Sequence, residues 1–367
     1  MKAHQTALVW FRRDLRLTDN PALLHALANA ERVAPLFVFA PDEEQPWATG
    51  AASRWWLHHS LAALAERLRQ LGSRLVVQRG PSQAALLFEP GTILNGQKLP
   101  YRVFTPFWRT VEKALPSLAV PRKAPRKLPA VPRKLTGIEI ADLQLLPTIA
   151  WDQGLAETWT PGEAGALKQL EQFTKQVASY PSGRDRPDRP QTSRLSPHLH
   201  FGDIGPGQIV AALRHSSAGA AQSRGVDSYL RQVGWREFAH HLLFHFPQTT
   251  DAPLDARFAK QKWRRSRADL RAWQRGATGI PLVDAGMREL WRVAGEALRS
   301  STQLHPTVAA GARAFAGSMD SPTLGCPRRS FATGGRRARR DLSKTRARFA
   351  GIPPSRASGL FPTALMI

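Results

Sequence analysis

The sequence of 367 residues predicts an α/β domain built on a parallel sheet, followed by an all-α domain. Apolar runs of strand length occur at 6–12, 33–39 and 74–78, and segments of helical character separate them. Strands that alternate with helices form parallel sheets, because each helix carries the chain back to the start of the next strand. From about residue 161 onward the apolar residues recur three and four apart, which is the spacing of one helix face.

Two helices are predicted between these strands. The first begins at Asp19, Asn20 and Pro21, because a side-chain oxygen can cap a helix and proline tolerates its first position. The second begins with Ser53 as its cap and ends at Gly72, since glycine accepts a left-handed conformation. The buried face of this second helix is predicted to carry Leu57, Leu61, Leu64, Leu68 and Leu71. No glycine-rich motif follows the first strand, which argues against an ordinary dinucleotide-binding domain.

The second domain is predicted from two apolar stripes at helical spacing. His241 and His245 lie four apart beside the second stripe, but the glutamate of a zinc-protease helix is absent, so we expect no metal site. Pro247 ends the second stripe. The stripes comprise Leu167, Leu170, Phe173 and Val177, and then Tyr229, Leu230, Val233, Phe238, Leu242, Leu243 and Phe246.

The chain is strongly basic, with 52 Lys and Arg against 28 Asp and Glu, a formal charge of +24. Such an excess favours a polyanionic partner, nucleic acid first and an anionic membrane surface second. Much of the charge is confined to two segments. Residues 114–136 hold six cations, no acid and five prolines, and 292–367 hold thirteen cations against three acids. We therefore predict a basic proline-rich linker over 114–160 and a poorly ordered tail over 292–367.

Several classes of protein are excluded by composition. A single cysteine, Cys326, excludes an intrachain disulfide framework and any multi-cysteine metal site. The N-terminal residues have no long apolar run of the secretory kind, and no stretch reaches the ~18 apolar residues of a membrane helix. We expect a cytoplasmic monomer that does not bind membranes.

Three segments carry residues suited to chemistry. The loop 180–198 concentrates arginines and hydroxyls on a proline-restrained chain, which suits phosphate oxygens or forms a solvated basic loop. Trp235 beside Arg236 suits stacking on a base or flavin ring, or core packing. Trp263 lies among four cations, which is typical of DNA contact, of an exposed redox tryptophan or of a solvated face. Together they indicate a phosphate-bearing ligand and a polyanion without naming a reaction.

Five blocks of sequence resemble the DNA photolyase/cryptochrome family, and bacterial class I photolyases most of all. Together they cover most of residues 1–291. The blocks are ALVWFRRDLRLTDNPAL at 7–23, RVFTPFWR at 102–109, YPSGRDRPDRPQTSRLSPHLHFGDIGP at 180–206, WREF at 235–238 and AWQRGATGIPLVDAGMRELW at 272–291. The resemblance implies an antenna-type α/β domain over 1–113 and a helical FAD-binding domain over 161–291.

The resemblance also implies an activity and its residues. It implies an enzyme, a lyase in which light-excited reduced FAD passes an electron to a cyclobutane pyrimidine dimer in damaged DNA. By resemblance, Arg184 contacts the DNA backbone, and Trp235, with Gln232 three residues before it, contacts the flipped-out dimer. Trp263 is the surface end of a tryptophan chain that reduces the flavin. FAD is held by Tyr180, Thr192, Ser193, Arg194, Leu195 and Ser196, with Arg236 beside the flavin.

Three departures from the family pattern bear on activity. Gly80 runs almost directly into AALLFEPGTILNG, which omits a strand and helix that line the folate antenna site and puts a folate antenna in doubt. Gln232 replaces a glutamate of repair enzymes, and glutamine supplies no negative charge. Residues 292–367 lack the family's flavin-ring segment and resemble an out-of-frame reading, so we expect weak flavin retention. The alternatives are a non-catalytic cryptochrome-like flavoprotein and a DNA-binding relic without flavin.

Overall fold

The computed structural model describes eight stretches of the chain. The described residues divide into two compact units, one from 4–148 and 159–245 and the other from 150–158 and 246–294. The domain boundaries at 113 and 160 remain predictions, and the predicted tail beyond residue 294 lies outside the described residues. The described stretches are 4–39, 49–79, 91–118, 120–148, 150–186, 188–215, 219–259 and 266–294.

The first unit contains a parallel sheet of three strands in the described residues. They are β1 (His4–Phe11), β2 (Ala30–Phe39) and β3 (Val76–Arg79), in the order β1-β2-β3. Phe11 is in register with Phe37, and β2 pairs on its other edge with β3. The predicted strands and their parallel arrangement are confirmed.

The first crossover helix, α1 (Pro21–Asn29), begins as predicted. The side chain of Asn20 accepts a hydrogen bond of 3.0 Å from the backbone N–H of Leu23, and Pro21 occupies the first position. An asparagine cap of this kind stabilises a helix by about 1 kcal/mol. Asn20 itself is fully buried, so the cap also fixes the turn that follows β1.

The second crossover helix, α2 (Ala51–Gln70), begins earlier than predicted. Gly50 is the N-cap residue, so the prediction of Ser53 as the cap is wrong, and Ser53 lies inside the first turn. The end is as predicted, because Gly72 adopts φ +86° and donates its N–H to the carbonyl of Arg69 at 3.0 Å. The predicted leucine face is confirmed, since Leu57, Leu61, Leu64, Leu68 and Leu71 are all buried.

Part of the predicted linker runs from the turn after β1 to β3 without forming a helix or a strand, and we call residues 120–138 the basic strap. Its backbone is held at both ends, by two hydrogen bonds between Asp19 and Arg122 and by one of 3.0 Å from Ile138 N to Val77 O. In the middle, the N–H of Leu128 donates to the carbonyl of Leu71 at 2.9 Å, and the Leu128 side chain is buried. The strap is therefore part of the folded unit rather than a loose connection.

The remainder of the described residues is mainly helical, as predicted. Short turns of 3-10 helix occur at Leu115–Ser117, Ile140–Leu143, Val177–Ser179, Pro247–Thr250 and Ala256–Phe258. The helices are α3 (Phe104–Ala114), α4 (Gln153–Thr158), α5 (Glu163–Gln176), α6 (Tyr180–Gly183), α7 (Ser196–Phe201), α8 (Pro206–His215), α9 (Ala220–His245), α10 (Arg267–Gln274) and α11 (Pro281–Ala294).

The core of the helical part forms where α3, α5, α7 and α8 surround α9. Phe107 and Trp108 of α3 are buried there with Phe173 of α5. Two members of the predicted stripes lie outside it, because Leu167 is 40% exposed and Leu243 is 42% exposed. The other stripe residues belong to this core or pack against it, except Phe246, which lies in the second unit and is buried there. The predicted helices and most of their buried faces are thus confirmed.

The second unit is smaller in its described part. Trp273 of α10 packs with Met287 of α11, and both are buried. Asp284 fixes the start of α11, since its carboxylate accepts hydrogen bonds from the N–H and hydroxyl of Thr278 and from the N–H of Gly279. Within the described residues, no helix combines the length and apolar composition that a membrane crossing requires.

Candidate functional site

The loop between α6 and α7 turns its side chains alternately inward and outward. Ser193 and Leu195 are fully buried, and Arg194 between them is exposed. Arg194 has φ +55°, a left-handed conformation that reverses the chain direction within one residue. Ser196 is buried at the first position of α7, whereas Thr192 is exposed. The five consecutive residues predicted to bind phosphate thus form one turn with two polar side chains inside.

Ser193 is the residue that joins this loop to the helical core. Its hydroxyl oxygen accepts a hydrogen bond of 2.8 Å from the hydroxyl of Tyr229 on α9 and one of 3.2 Å from the N–H of Leu195. Its carbonyl accepts a bond of 3.0 Å from the side chain of Gln169 on α5. The loop is therefore held by α5 and α9 together.

The tyrosines beside the loop remain neutral phenols near pH 7. Burial raises the pKa of Tyr180 to about 12, although the nearby guanidinium of Arg184 opposes this shift. Burial also raises the pKa of Tyr229, against the effect of its hydrogen bond with Ser193. The guanidinium carbon of Arg184 lies 5.6 Å from the centre of the Tyr180 ring. Both phenols can therefore donate a hydrogen bond at any physiological pH.

Helix α9 brings the other predicted residues to the same region. Tyr229, Gln232 and Arg236 are separated by three and four residues, so they share one face of the helix, and all three are buried. Trp235 is half-buried and stacks on Phe104, with ring centres 3.6 Å apart and planes 8° apart. One face of the indole is therefore occupied within the protein.

Arg236 and Glu237 form a buried ion pair on α9. Their side chains are 3% and 4% exposed, and the distance from the guanidinium nitrogen to the carboxylate oxygen is 2.8 Å. Burial lowers the pKa of Arg236, and the adjacent Glu237 carboxylate opposes that shift. The pair places a fixed positive charge beside the helix face that carries Gln232.

Two histidines lie near Arg236 and are uncharged near neutral pH. Burial lowers the pKa of His200 and of His240 to about 3, and Arg236 and Arg13 add to the shift. The buried atoms Nδ1 of His200 and Nε2 of His240 have no hydrogen-bond partner in the described residues, and neither does Oε1 of Gln191 in the loop. Buried polar atoms without partners are costly unless a ligand or water satisfies them. Together with Ser196 and Arg236, this donor and acceptor set fits a polar cofactor such as FAD.

Comparison with known proteins follows the same division of the chain. The family model for DNA photolyase matches residues 7–87, and that for the FAD binding domain of DNA photolyase matches residues 229–295. A deoxyribodipyrimidine photo-lyase of Agrobacterium fabrum is 35% identical over 337 residues, covering 78% of this chain and 69% of that protein. The chain belongs to the DNA photolyase/cryptochrome family. The recognition of this family from sequence is confirmed.

Other members of the photolyase/cryptochrome family resemble the chain at similar levels. Cryptochrome-1 of Arabidopsis thaliana is 32% identical, and the match covers 78% of this chain but 50% of that protein. The crystal structure of a bacterial class III photolyase from Agrobacterium tumefaciens superposes with a TM-score of 0.75 at 30% identity, covering 100% of this chain and 79% of that one. The predicted two-part fold and FAD as the cofactor are thereby confirmed, whereas placement among class I enzymes stays a prediction.

Not all of the predicted site residues can be placed. Trp263 lies outside the described residues. Arg184 is near the surface and forms an ion pair of 3.3 Å with the neighbouring Asp185. Among the described residues, no three histidine, cysteine, aspartate or glutamate side chains come together as metal ligands would. The functional roles assigned by family resemblance stay predictions for every residue of the set.

Sequence reasoning missed the residue that ties α2 to the loop region. Asp203 is fully buried and accepts hydrogen bonds from Trp56 at 3.1 Å, Gly162 at 3.0 Å and His198 at 2.9 Å. The available signal was its place in the block 180–206, which resembles the photolyase/cryptochrome family. Composition and periodicity contain no sign of these partners, because Trp56 is 147 residues away in sequence.

The two neutral histidines predict an acid-sensitive fold. Their pKa lies near 3 in the folded chain and near 6.5 in the unfolded chain, so the unfolded state takes up protons first as the pH falls. We expect the free energy of unfolding to fall between pH 6.5 and 3, by up to about 1.4 kcal/mol per pH unit for each ring. In urea denaturation, the free energy of unfolding of His240→Gln should depend less steeply on pH than that of the wild type. His25→Gln, on the exposed face of α1, should not change this dependence. Identical slopes in all three proteins would contradict the assignment.

Proposed function

We propose that the chain is an FAD-dependent, light-driven DNA photolyase that splits cyclobutane pyrimidine dimers in damaged DNA. The observation that carries this proposal is the hydrogen bond from Tyr229 to Ser193. It joins the loop suited to phosphate oxygens to the helix face that presents Gln232 and Arg236, so one rigid site holds both sets of residues. The relative from Agrobacterium fabrum is a deoxyribodipyrimidine photo-lyase, which supports the reaction type.

The loop residues would hold FAD through its phosphates and ribityl chain. Ser193 and Ser196 contribute hydroxyls, and Arg194 contributes a cation above the ring of Trp159, 4.3 Å from its centre. Tyr180 and Leu195 wall the loop from the core side, and Thr192 lies at its exposed rim. When bound and reduced, FAD would supply the electron that opens the dimer.

Helix α9 would position the damaged bases. Gln232 has an amide that both donates and accepts hydrogen bonds, which suits the carbonyl and imide groups of pyrimidines. Because Phe104 covers one face of Trp235, the dimer would stack on the remaining face. The guanidinium of Arg236 would stabilise negative charge beside the flavin. We assign Arg184 to the DNA backbone and Trp263 to the surface end of the electron chain, and we place the protein in the cytoplasm as a monomer.

The first experiment measures FAD binding. Apoprotein is titrated with FAD, and the change in flavin absorbance and fluorescence gives the affinity of the wild type and of Tyr229→Phe. Removing the hydroxyl that orders Ser193 should weaken FAD binding roughly fivefold, the effect of one hydrogen bond of about 1 kcal/mol. Tyr101→Phe is the matched control, because that hydroxyl contacts Thr110 instead of the loop. A chain that binds no FAD would overturn the proposal.

The second experiment measures repair. Loss of cyclobutane dimers from irradiated DNA is followed in light and in darkness with FAD-loaded protein. We expect light-dependent repair that is slow in the wild type and faster in Gln232→Glu, since a carboxylate carries a negative charge and can take up a proton, and an amide does neither. FAD binding without repair in either protein would exclude photolyase activity.

A cryptochrome-like flavoprotein without repair activity is the second candidate. Gln232 favours it, because the position lacks the charge found in repair enzymes, and two cryptochromes of Arabidopsis thaliana are 32% and 31% identical to the chain. For this candidate, light should change the flavin spectrum while the dimer content of the DNA stays constant. The Gln232→Glu variant separates the candidates, since a pure sensor gains no repair from it.

A further inference from the structure

The basic strap presents six cations on a backbone that hydrogen bonds hold to the turn after β1, to the end of α2 and to β3. All six are exposed, and none lies within ion-pair distance of a carboxylate among the described residues. The segment 120–138 contains no acidic residue to reduce this charge. The six cations occur as three adjacent pairs, Arg122 and Lys123, Arg126 and Lys127, and Arg133 and Lys134.

The backbone of the strap loses little conformational entropy when the strap binds a ligand. Backbone bonds at Arg122, Leu128 and Ile138 anchor it along its length, and side chains reach it from the sheet side. One of these is Arg74, which donates to the carbonyl of Leu135, and another is Gln78, which donates to that of Thr136 at 3.1 Å. Four prolines restrict the backbone further. Pre-ordered cations gain more from an anion than cations on a mobile chain do.

The arrangement of the charges fits a linear polyanion. The first and last cations are twelve positions apart, which is at most about 40 Å of extended chain. One turn of duplex DNA is about 34 Å long and presents phosphates along its whole length. Side chains of Lys and Arg that neutralise phosphates release counterions, and this release drives binding without reading sequence.

A membrane surface fits the strap less well. Peripheral membrane segments bury apolar or aromatic side chains between their cations. The strap contains no aromatic residue, and its larger apolar side chains Leu128 and Val131 are buried against the rest of the unit. Val120 at its start is 80% exposed, and one such side chain contributes little apolar area.

We propose that the basic strap is a second nucleic-acid surface, which binds the phosphate backbone of duplex DNA irrespective of sequence or damage. It is formed by residues that the proposed dimer and FAD site does not use. The proposal goes beyond the photolyase reaction and does not rest on it, because a chain without flavin would bind through the strap equally well. Its role is to raise the local concentration of DNA around the protein.

The experiment compares two variants that each lose four cations. The strap variant carries Arg122→Gln, Lys123→Gln, Arg126→Gln and Lys127→Gln. The control carries Lys98→Gln, Lys113→Gln, Lys168→Gln and Arg224→Gln, which are exposed residues elsewhere in the first unit. Affinity for a short undamaged duplex is measured by fluorescence anisotropy over a range of salt concentrations. Log K falls as log salt rises, and in the strap variant this fall should be less steep, with a slope smaller in magnitude by about 3. The affinity of the strap variant at low salt should be at least tenfold lower.

Three results would overturn the proposal. The first is an equal loss of affinity in the strap variant and the control, which would mean that net charge alone is responsible. The second is an unchanged slope in the strap variant. The third is a strap variant that no longer binds vesicles containing phosphatidylserine but binds DNA as the wild type does, which would make the strap a membrane surface. The pair Arg133→Gln and Lys134→Gln tests the other end, and it should lower the slope by about half as much as the strap variant.

Discussion

Replacing Arg236 with methionine is expected to destabilise the protein by about 3–5 kcal/mol. The substitution keeps much of the side-chain volume but leaves the carboxylate of Glu237, which is 4% exposed, without its cation at 2.8 Å. An uncompensated buried charge costs several kcal/mol, and burial already acts against the charged form of Arg236, whose pKa it lowers. Urea denaturation followed by tryptophan fluorescence would measure the loss.

A second substitution separates the lost charge pair from lost packing. In the double variant Arg236→Met with Glu237→Gln, the neutral amide leaves no buried charge, so at least half of the lost stability should return. Glu237→Gln alone should also destabilise, because it removes the carboxylate that lies 2.8 Å from the buried guanidinium. If the double variant is as unstable as the sum of the two single variants, the side chains are not coupled and the ion pair does not determine the stability of this face.

Local chemistry predicted most of the elements of the fold. The cap at Asn20 and the left-handed Gly72 follow from properties of single residues, so they are visible in the sequence. The predicted start of α2 was wrong because Gly50, which has no side chain, is also an acceptable N-cap residue, and the helix begins directly after it. Leu167 and Leu243 have the spacing of a buried helix face. The neighbouring elements cover only part of that face, so both side chains stay exposed.

The candidate site was predictable as a set of residues and not as a structure. Resemblance brought Ser193, Trp235 and Arg236 together by name, but the hydrogen bond of Ser193 with Tyr229 spans 36 residues and depends on tertiary packing. The same holds for the stack of Trp235 on Phe104, which lies over a hundred residues earlier. The backbone bonds that anchor the basic strap likewise cannot be read from composition. Long-range contacts need the fold before they can be assigned.

Gly234→Ala is expected to lower the free energy of unfolding by about 2 kcal/mol and to disturb the stack of Phe104 on Trp235. A Cβ atom at position 234 would lie 2.1 Å from Cε3 of Trp108, whose ring is buried in the core beside α9. Such a contact requires α3 to move away, at a cost of 1–3 kcal/mol or more that exceeds the roughly 1 kcal/mol by which alanine favours a helix. Because α3 also carries Phe104, the shift would reach Trp235.

The control is the same substitution where there is room for the new methyl group. Gly207→Ala on α8 would place Cβ no closer than 4.0 Å to its nearest neighbour outside the helix, so it should be neutral or stabilising. Trp108→Leu combined with Gly234→Ala should cost less than the sum of the two single substitutions, because the smaller side chain vacates the space that Cβ needs. Near-ultraviolet circular dichroism would report the aromatic stack directly. Equal stability of Gly234→Ala and Gly207→Ala would show that α3 does not pack closely against α9 at Gly234. The close packing of Phe104 on one face of Trp235 would then be wrong.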